Sequence, residues 1–194
     1  MNLLEKSKTN AQSWLTPAFD AATQETVRQL LERNPEELIE CFHKNLEFGT
    51  GGMRGIMGIG TNRMNRYTLG KNTQGLSNYL KKVYPNEQVR VAIAYDCRHN
   101  SQEFAKIVAD VFSANGIKVF LFSELRPTPE LSFAIRFLKC HSGVVLTASY
   151  FLLPHILCKE YSVYYQQSNL YFLFRKILLS ACNCYFRHTL LKVL

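Results

Sequence analysis

The sequence predicts an α/β fold: helix–sheet–helix layers around a mostly parallel sheet, preceded by an N-terminal helical extension. Two observations carry this. Between Val89 and Leu146 short β-branched or aromatic runs alternate with helical periodicity, and the first half-hundred residues hold two amphipathic segments bounded by capping signals.

In the extension, Thr23 is expected to cap a helix whose Val27, Leu30 and Leu31 share a face. Asn34-Pro35-Glu36-Glu37 starts the next one. Asn34 accepts from first-turn amides, Pro35 has no amide to leave unpaired, and Glu37 completes a capping box. Leu38, Ile39 and Phe42 supply the buried stripe, and this helix should end before Phe48. Six of the ten glycines then fall between residues 48 and 60, at 49, 51, 52, 55, 58 and 60, a stretch that reads as a glycine-rich loop. Arg54 and Arg63 lie in or beside it, so amides and guanidinium forks could meet on a phosphate. A turn with solvated arginines is the plainer alternative.

Val89–Tyr95 reads as a strand and residues 101–114 as a helix, with Asn100 and Glu103 as its capping box and Phe104, Ile107, Val108, Val111 and Phe112 on one face. Asn115-Gly116 ends that helix with a glycine suited to the left-handed position. Ile117–Phe122 is a second strand. Thr128-Pro129 opens a helix carrying Leu131, Ala134, Ile135 and Leu138, and Gly143–Leu146 is a third strand. Loops after parallel strands open on the carboxyl edge, where α/β proteins place ligands. Asp96-Cys97-Arg98-His99 and Thr147-Ala148-Ser149 both stand there. Neither a G-x-S-x-G elbow nor a Walker loop occurs.

The composition is that of a globular chain: 194 residues, 47% hydrophobic, 20% charged, with a formal charge of +8. The basic excess suits anionic partners, but the basic residues are scattered and no aromatic–basic motif of RNA readers appears, so no nucleic acid is expected. The six cysteines lack metal-ligand spacing and read as reduced thiols. Met1–Gln12 is too polar for a signal peptide, and no apolar run is long enough to span a bilayer. A cytoplasmic location is therefore expected.

Five stretches, taken in order and spacing, resemble the α-D-phosphohexomutases, the phosphoglucomutase and phosphomannomutase family. They are Phe48-Gly-Thr-Gly-Gly-Met-Arg-Gly55, Gly60-Thr-Asn-Arg-Met-Asn65, Tyr95-Asp-Cys-Arg-His-Asn-Ser101, Arg126-Pro-Thr-Pro129 and Gly143-Val-Val-Leu-Thr-Ala-Ser149. The resemblance covers about residues 10 to 149 and is nearest to the sugar-phosphate mutases with a helical N-terminal extension. It implies residues 1–47 as that extension, 48–149 as domain I, and 150–194 as a divergent hydrophobic tail. It also implies a phosphate moved between C1 and C6 of a hexose phosphate, with a hexose 1,6-bisphosphate as intermediate. Ser149 matches the phosphoserine, and its phosphate would supply one ligand to Mg²⁺. Arg54 matches the arginine of the glycine loop that lies near that serine. Thr50 and Gly51 lie in the same matched loop, and Arg98 in the matched Asp-x-Arg segment, as phosphate-binding candidates.

The pattern breaks after Ser149. The family continues with His-Asn-Pro and then Asn-Gly-x-Lys, whereas here Tyr150-Phe151-Leu152 follows. No residue takes the role of the family's lysine, and the loops of its second to fourth domains are not in this sequence. The tail has no glycine, one acidic residue and ten aromatics in 45 residues. It is expected to come from a shifted frame, unspliced sequence or early truncation. The rival is a real segment that binds a partner or a membrane surface. The chain by itself is expected to be inactive as a mutase and to self-associate through exposed apolar surface. The alternative function is a non-catalytic anion-binding module with a new tail.

Overall fold

The structure, a computed structural model, describes residues 2–47 and 52–147 with their side chains, and the backbone of 160–167 and 191–193. The chain forms two compact units, residues 1–68 with 149–162 and residues 69–148 with 163–194.

Among its described residues the first unit holds three helices where the sequence predicts two: α1 (Leu3–Gln12), α2 (Ala21–Arg33) and α3 (Pro35–Phe42), with a 3-10 turn at Ser13–Leu15. The periodicity of α1 is hidden because its buried residues are Ser7 and Ala11, and the Ser7 hydroxyl is satisfied by donating to the Leu3 carbonyl at 2.9 Å. Helix α2 is capped by Asp20 rather than Thr23. The Asp20 carboxylate accepts from the Thr23 amide and the Thr23 hydroxyl, both at 2.9 Å, and this places Thr23 in the first turn as a bonded donor. Asn34 caps α3 as expected, accepting from the Glu37 amide at 3.2 Å, while Glu37 returns to the Asn34 side-chain amide at 2.8 Å. The Asn34 backbone amide is instead used by the Leu30 carbonyl, at the end of α2. Ala11, Trp14, Val27, Leu30, Leu38, Cys41 and Phe42 form the core of this unit. Trp14 stacks on Phe19 at 4.6 Å and meets Phe42 and Tyr67 edge-on, each at 5.5 Å.

Within the glycine-rich stretch, Gly52–Ile56 is a strand, β1, rather than a loop. The following segment, residues 57–65, satisfies groups at the end of α3 that the helix itself leaves open. The Asn62 amide donates to the Cys41 carbonyl at 2.9 Å, the Asn62 side chain to the Glu40 carbonyl at 3.0 Å, and the Thr61 hydroxyl to the Lys44 carbonyl at 2.7 Å. Arg63 also faces α3: Nη2 lies 2.9 Å from the Glu40 carboxylate and Nε 3.4 Å from Cys41 Sγ. Its fork is bound to the extension, not displayed for a phosphate. Gly60 is required by this close approach. Its φ is +127°, and a Cβ there would stand 2.4 Å from the Cys41 carbonyl oxygen.

The next helix, α4 (Arg66–Val83), is absent from the sequence reading. Its buried residues mix Leu69 and Leu80 with Thr68, Thr73 and Ser77, so more than half of the buried positions are hydroxylic and escape a hydrophobic count. The second unit continues with β2 (Arg90–Tyr95), α5 (Ser101–Ala114), β3 (Lys118–Phe122), α6 (Thr128–Phe137) and β4 (Ser142–Thr147), in agreement with the predicted alternation. β2 lies between β3 and β4 and is parallel to both, with Ala92 opposite Phe120 on one side and Gly143 on the other. The tail contributes the strands β5 (Glu160–Gln167) and β6 (Leu191–Val193), the latter antiparallel to β3.

Ala92, Ala94 and Val145 face Leu131, Ala134 and Ile135 of α6. The alternate residues of β2, Val91 and Ile93, therefore face the other side, where α5 packs on β2 and β3. Cys140 belongs to the α6 layer, and burial pushes its thiol up to about 11, so it stays neutral and unreactive near pH 7.

Two outcomes follow for the first unit, and Trp14, the single tryptophan, reports both. Gly60→Ala should destabilise it by about 2–5 kcal/mol, from left-handed strain plus overlap with Cys41. An unchanged urea midpoint by Trp14 fluorescence would contradict the packing described. Asp20 is held down at about 2 by the Tyr67 hydroxyl first, and then by the Thr23 amide and hydroxyl. An unfolded aspartate titrates near ~3.9, so between there and about 2 the unfolded chain binds more protons, and stability falls as pH falls through this window. Tyr67→Phe should flatten that loss, read as the pH dependence of the Trp14 transition.

Candidate functional site

At the carboxyl edge of the second unit, the loop after β2 leads to α5 on one face and the loop after β3 leads to α6 on the other. Right-handed crossovers in opposite directions require this divergence, and it opens a crevice between the two loops. The crevice is a cleft of about 780 Å³ lined by residues 95–100, 102, 103 and 123–126. Its two walls are tied at the base. The Tyr95 hydroxyl donates to the Ser123 carbonyl at 2.9 Å, Gln102 donates to the Tyr95 hydroxyl at 3.1 Å, and the Arg126 amide donates to the Tyr95 carbonyl at 2.9 Å.

Asp96 sits at the mouth of β2. Its Oδ1 accepts from the Ser101 hydroxyl at 2.8 Å and from the Arg98 amide at 3.1 Å. Its Oδ2 accepts from the Thr147 hydroxyl at 2.6 Å and lies 3.3 Å from Arg98 Nε. The Asp96 amide donates to the Leu146 carbonyl at 3.1 Å, extending the β2–β4 ladder by one step. The expected Asn100–Glu103 capping box does not form. Asn100 is left-handed, at φ 63°, with no side-chain bond to the helix, and Ser101 turns to Asp96 instead.

Arg98, predicted as a phosphate contact, lies in this cleft about one quarter exposed, with its Nε on Asp96. Arg126, singled out in the sequence only as part of a matched stretch, lines the other wall. It pairs with Glu124 at 3.1 Å and with Glu130 at 3.4 Å. Both guanidinium groups are therefore held in place by carboxylates, and the cleft presents oriented but partly neutralised cations. Cys97, also on the lining, is exposed and reduced.

Arg54 lies on β1 in the first unit, with its side chain exposed. Thr50, Gly51 and Ser149 lie outside the described residues. Among the described residues, no three His, Cys, Asp or Glu side chains gather as metal ligands, and the four contacts of Asp96 already occupy its carboxylate. These residues do not amount to a Mg²⁺ site. Among the described residues no helix is long and apolar enough to cross a membrane.

The family model of phosphoglucomutase/phosphomannomutase α/β/α domain I matches residues 45–150. Phosphopentomutase of Homo sapiens is 39% identical over 145 residues, covering 71% of this chain and 24% of its own length. Phosphoglucomutase of Staphylococcus haemolyticus (strain JCSC1435) is 44% identical over 109 residues, covering 56% and 20%. Among solved structures, a protein of Thermus thermophilus assigned to the phosphomannomutases superposes with a TM-score of 0.55 at 28% identity, covering 64% of this chain and 26% of that one. The chain thus spans about a quarter of the length of the relatives it matches. With the parallel α/β order and the divergent carboxyl-edge loops, these matches establish that the chain belongs to the phosphoglucomutase/phosphomannomutase family and carries its α/β/α domain I.

Proposed function

We propose that this chain is the phosphoryl-carrying first domain of a sugar-phosphate mutase, with Ser149 as the carrier. The observation that carries the proposal is the family match over residues 45–150, which takes in the Thr147-Ala148-Ser149 segment leaving the carboxyl end of β4. A serine in that position follows a parallel strand at the edge where α/β proteins meet ligands.

The proposed reaction runs in two transfers. In the first, the phosphorus on Ser149 Oγ is attacked in line by a free hydroxyl of a hexose monophosphate. The bond from phosphorus to Ser149 Oγ breaks as the bond to the sugar oxygen forms, the hydroxyl proton leaves to a base, and the serine oxygen regains a proton. The hexose 1,6-bisphosphate then turns over, and Ser149 Oγ takes the other phosphoryl group, releasing the isomeric monophosphate. Phosphate has moved between C1 and C6, and the serine is phosphorylated again. Arg54, Thr50, Gly51 and Arg98 are proposed to bind phosphoryl oxygens, with Arg98 oriented by Asp96. Mg²⁺ would neutralise charge on the phosphoryl group, with phosphorylated Ser149 supplying one oxygen. The sugar is open between hexose and pentose, since the relatives are named for both.

The chain alone should take up phosphate from glucose 1,6-bisphosphate at Ser149, read as phosphoserine in peptide mass spectrometry and abolished by Ser149→Ala. It should not interconvert glucose 1-phosphate and glucose 6-phosphate at a measurable rate. Absence of label at Ser149 would remove the carrier assignment, and robust interconversion would remove the expectation of inactivity.

A further inference from the structure

We infer that Asp96 is a positioning residue for phosphoryl transfer at Ser149, acting through the Thr147 hydroxyl on the strand end from which the chain runs to that serine. The inference rests on the carrier role proposed for Ser149.

An ionised carboxylate is an acceptor only, with about four lone-pair sites. Asp96 meets four donors from three elements: the Arg98 amide and Nε in the loop after β2, the Ser101 hydroxyl in the first turn of α5, and the Thr147 hydroxyl at the end of β4. The shortest of these is to Thr147, at 2.6 Å, within the range of charge-assisted O–H···O⁻ bonds. Thr147 lies two residues before Ser149, and the Asp96 amide grips the preceding carbonyl, that of Leu146, at 3.1 Å. One residue therefore holds the end of β4 by both main chain and side chain while it orients a guanidinium in the cleft.

A carboxylate that only capped α5 would need Ser101 and the Arg98 amide, both bound by Oδ1. Oδ2 is directed at Thr147 and Arg98, the two groups tied to the proposed chemistry. In-line transfer is sensitive to such anchoring, because a misplacement of about 1 Å at a reacting group can cost ~100-fold in rate.

The test uses the full chain, glucose 1,6-bisphosphate with Mg²⁺, and the initial rate of phosphate uptake on Ser149 across bisphosphate concentrations. Thr147→Val removes only the hydroxyl and keeps the Asp96–Arg98 pair. It should lower the limiting rate about 10- to 100-fold, with little change in half-saturating concentration or thermal midpoint. Thr147→Ser, which restores the donor, should return the rate to within about threefold of the parent. Asp96→Asn, with one acceptor oxygen replaced by a donor, should lose rate at least as strongly, and it serves as the second probe if the valine variant does not fold. A folded Thr147→Val chain at the parental rate, or a loss that Thr147→Ser does not rescue, overturns the inference and leaves the carrier role intact. A parent chain that takes up no phosphate at Ser149 removes the carrier role itself, and this inference with it.

Discussion

β2 is the constraint on which the second unit depends. Val91 to Ala94 are fully buried, and the strand is paired in parallel on both edges. Parallel neighbours cannot be joined by a tight turn, so each connection must cross a face of the sheet through a helix. The chain steps first to β3 and then back across β2 to β4. Two crossovers of the same hand in opposite directions put α5 and α6 on opposite faces, and their leading loops part at the carboxyl edge. The cleft beneath Tyr95, Arg98 and Arg126 is a consequence of that order of strands.

Polar groups at the ends of elements organise what surrounds that frame. Asp96 closes the carboxyl edge by accepting from three elements at once. In the first unit, the segment from Thr61 to Arg63 covers the carbonyls at the end of α3, and Gly60 permits the approach. Both cases follow one rule. Helix and strand termini leave donors and acceptors that must be met, and the residues meeting them come from distant parts of the sequence.

The same rule limits what the arginines offer. Arg63 is engaged by Glu40, Arg98 by Asp96, and Arg126 by Glu124 and Glu130. A net charge of +8 does not translate into a cluster of undirected cations in the described cleft. Its guanidinium groups are fixed in direction, which favours a ligand of defined geometry over a diffuse polyanion.

Much of the architecture was legible in the sequence, because period-2 and period-3.6 patterns report burial directly. β2, α5, β3, α6 and β4 were read that way, as were the Asn34 cap and the left-handed Gly116. Helices α1 and α4 were not, since Ser7, Thr73 and Ser77 occupy buried positions with hydroxyls satisfied, or shielded, inside the helix. The cap of α2 was misplaced because Thr23 is a cap-like residue whose hydroxyl serves Asp20 instead, whereas at α5 Asn100 does hold the cap position but makes no capping bond, and Ser101 turns to Asp96. The sequence by itself determined the alternation of strands and helices and that the Asp-x-Arg segment directly follows a strand, since the periods of burial are written in the residues. Only the tertiary structure decided that Asp96 reaches Thr147, 51 residues away, and that Arg63 turns inward. Hydrogen-bond partners between distant segments depend on the three-dimensional approach of their backbones, which no local periodicity encodes.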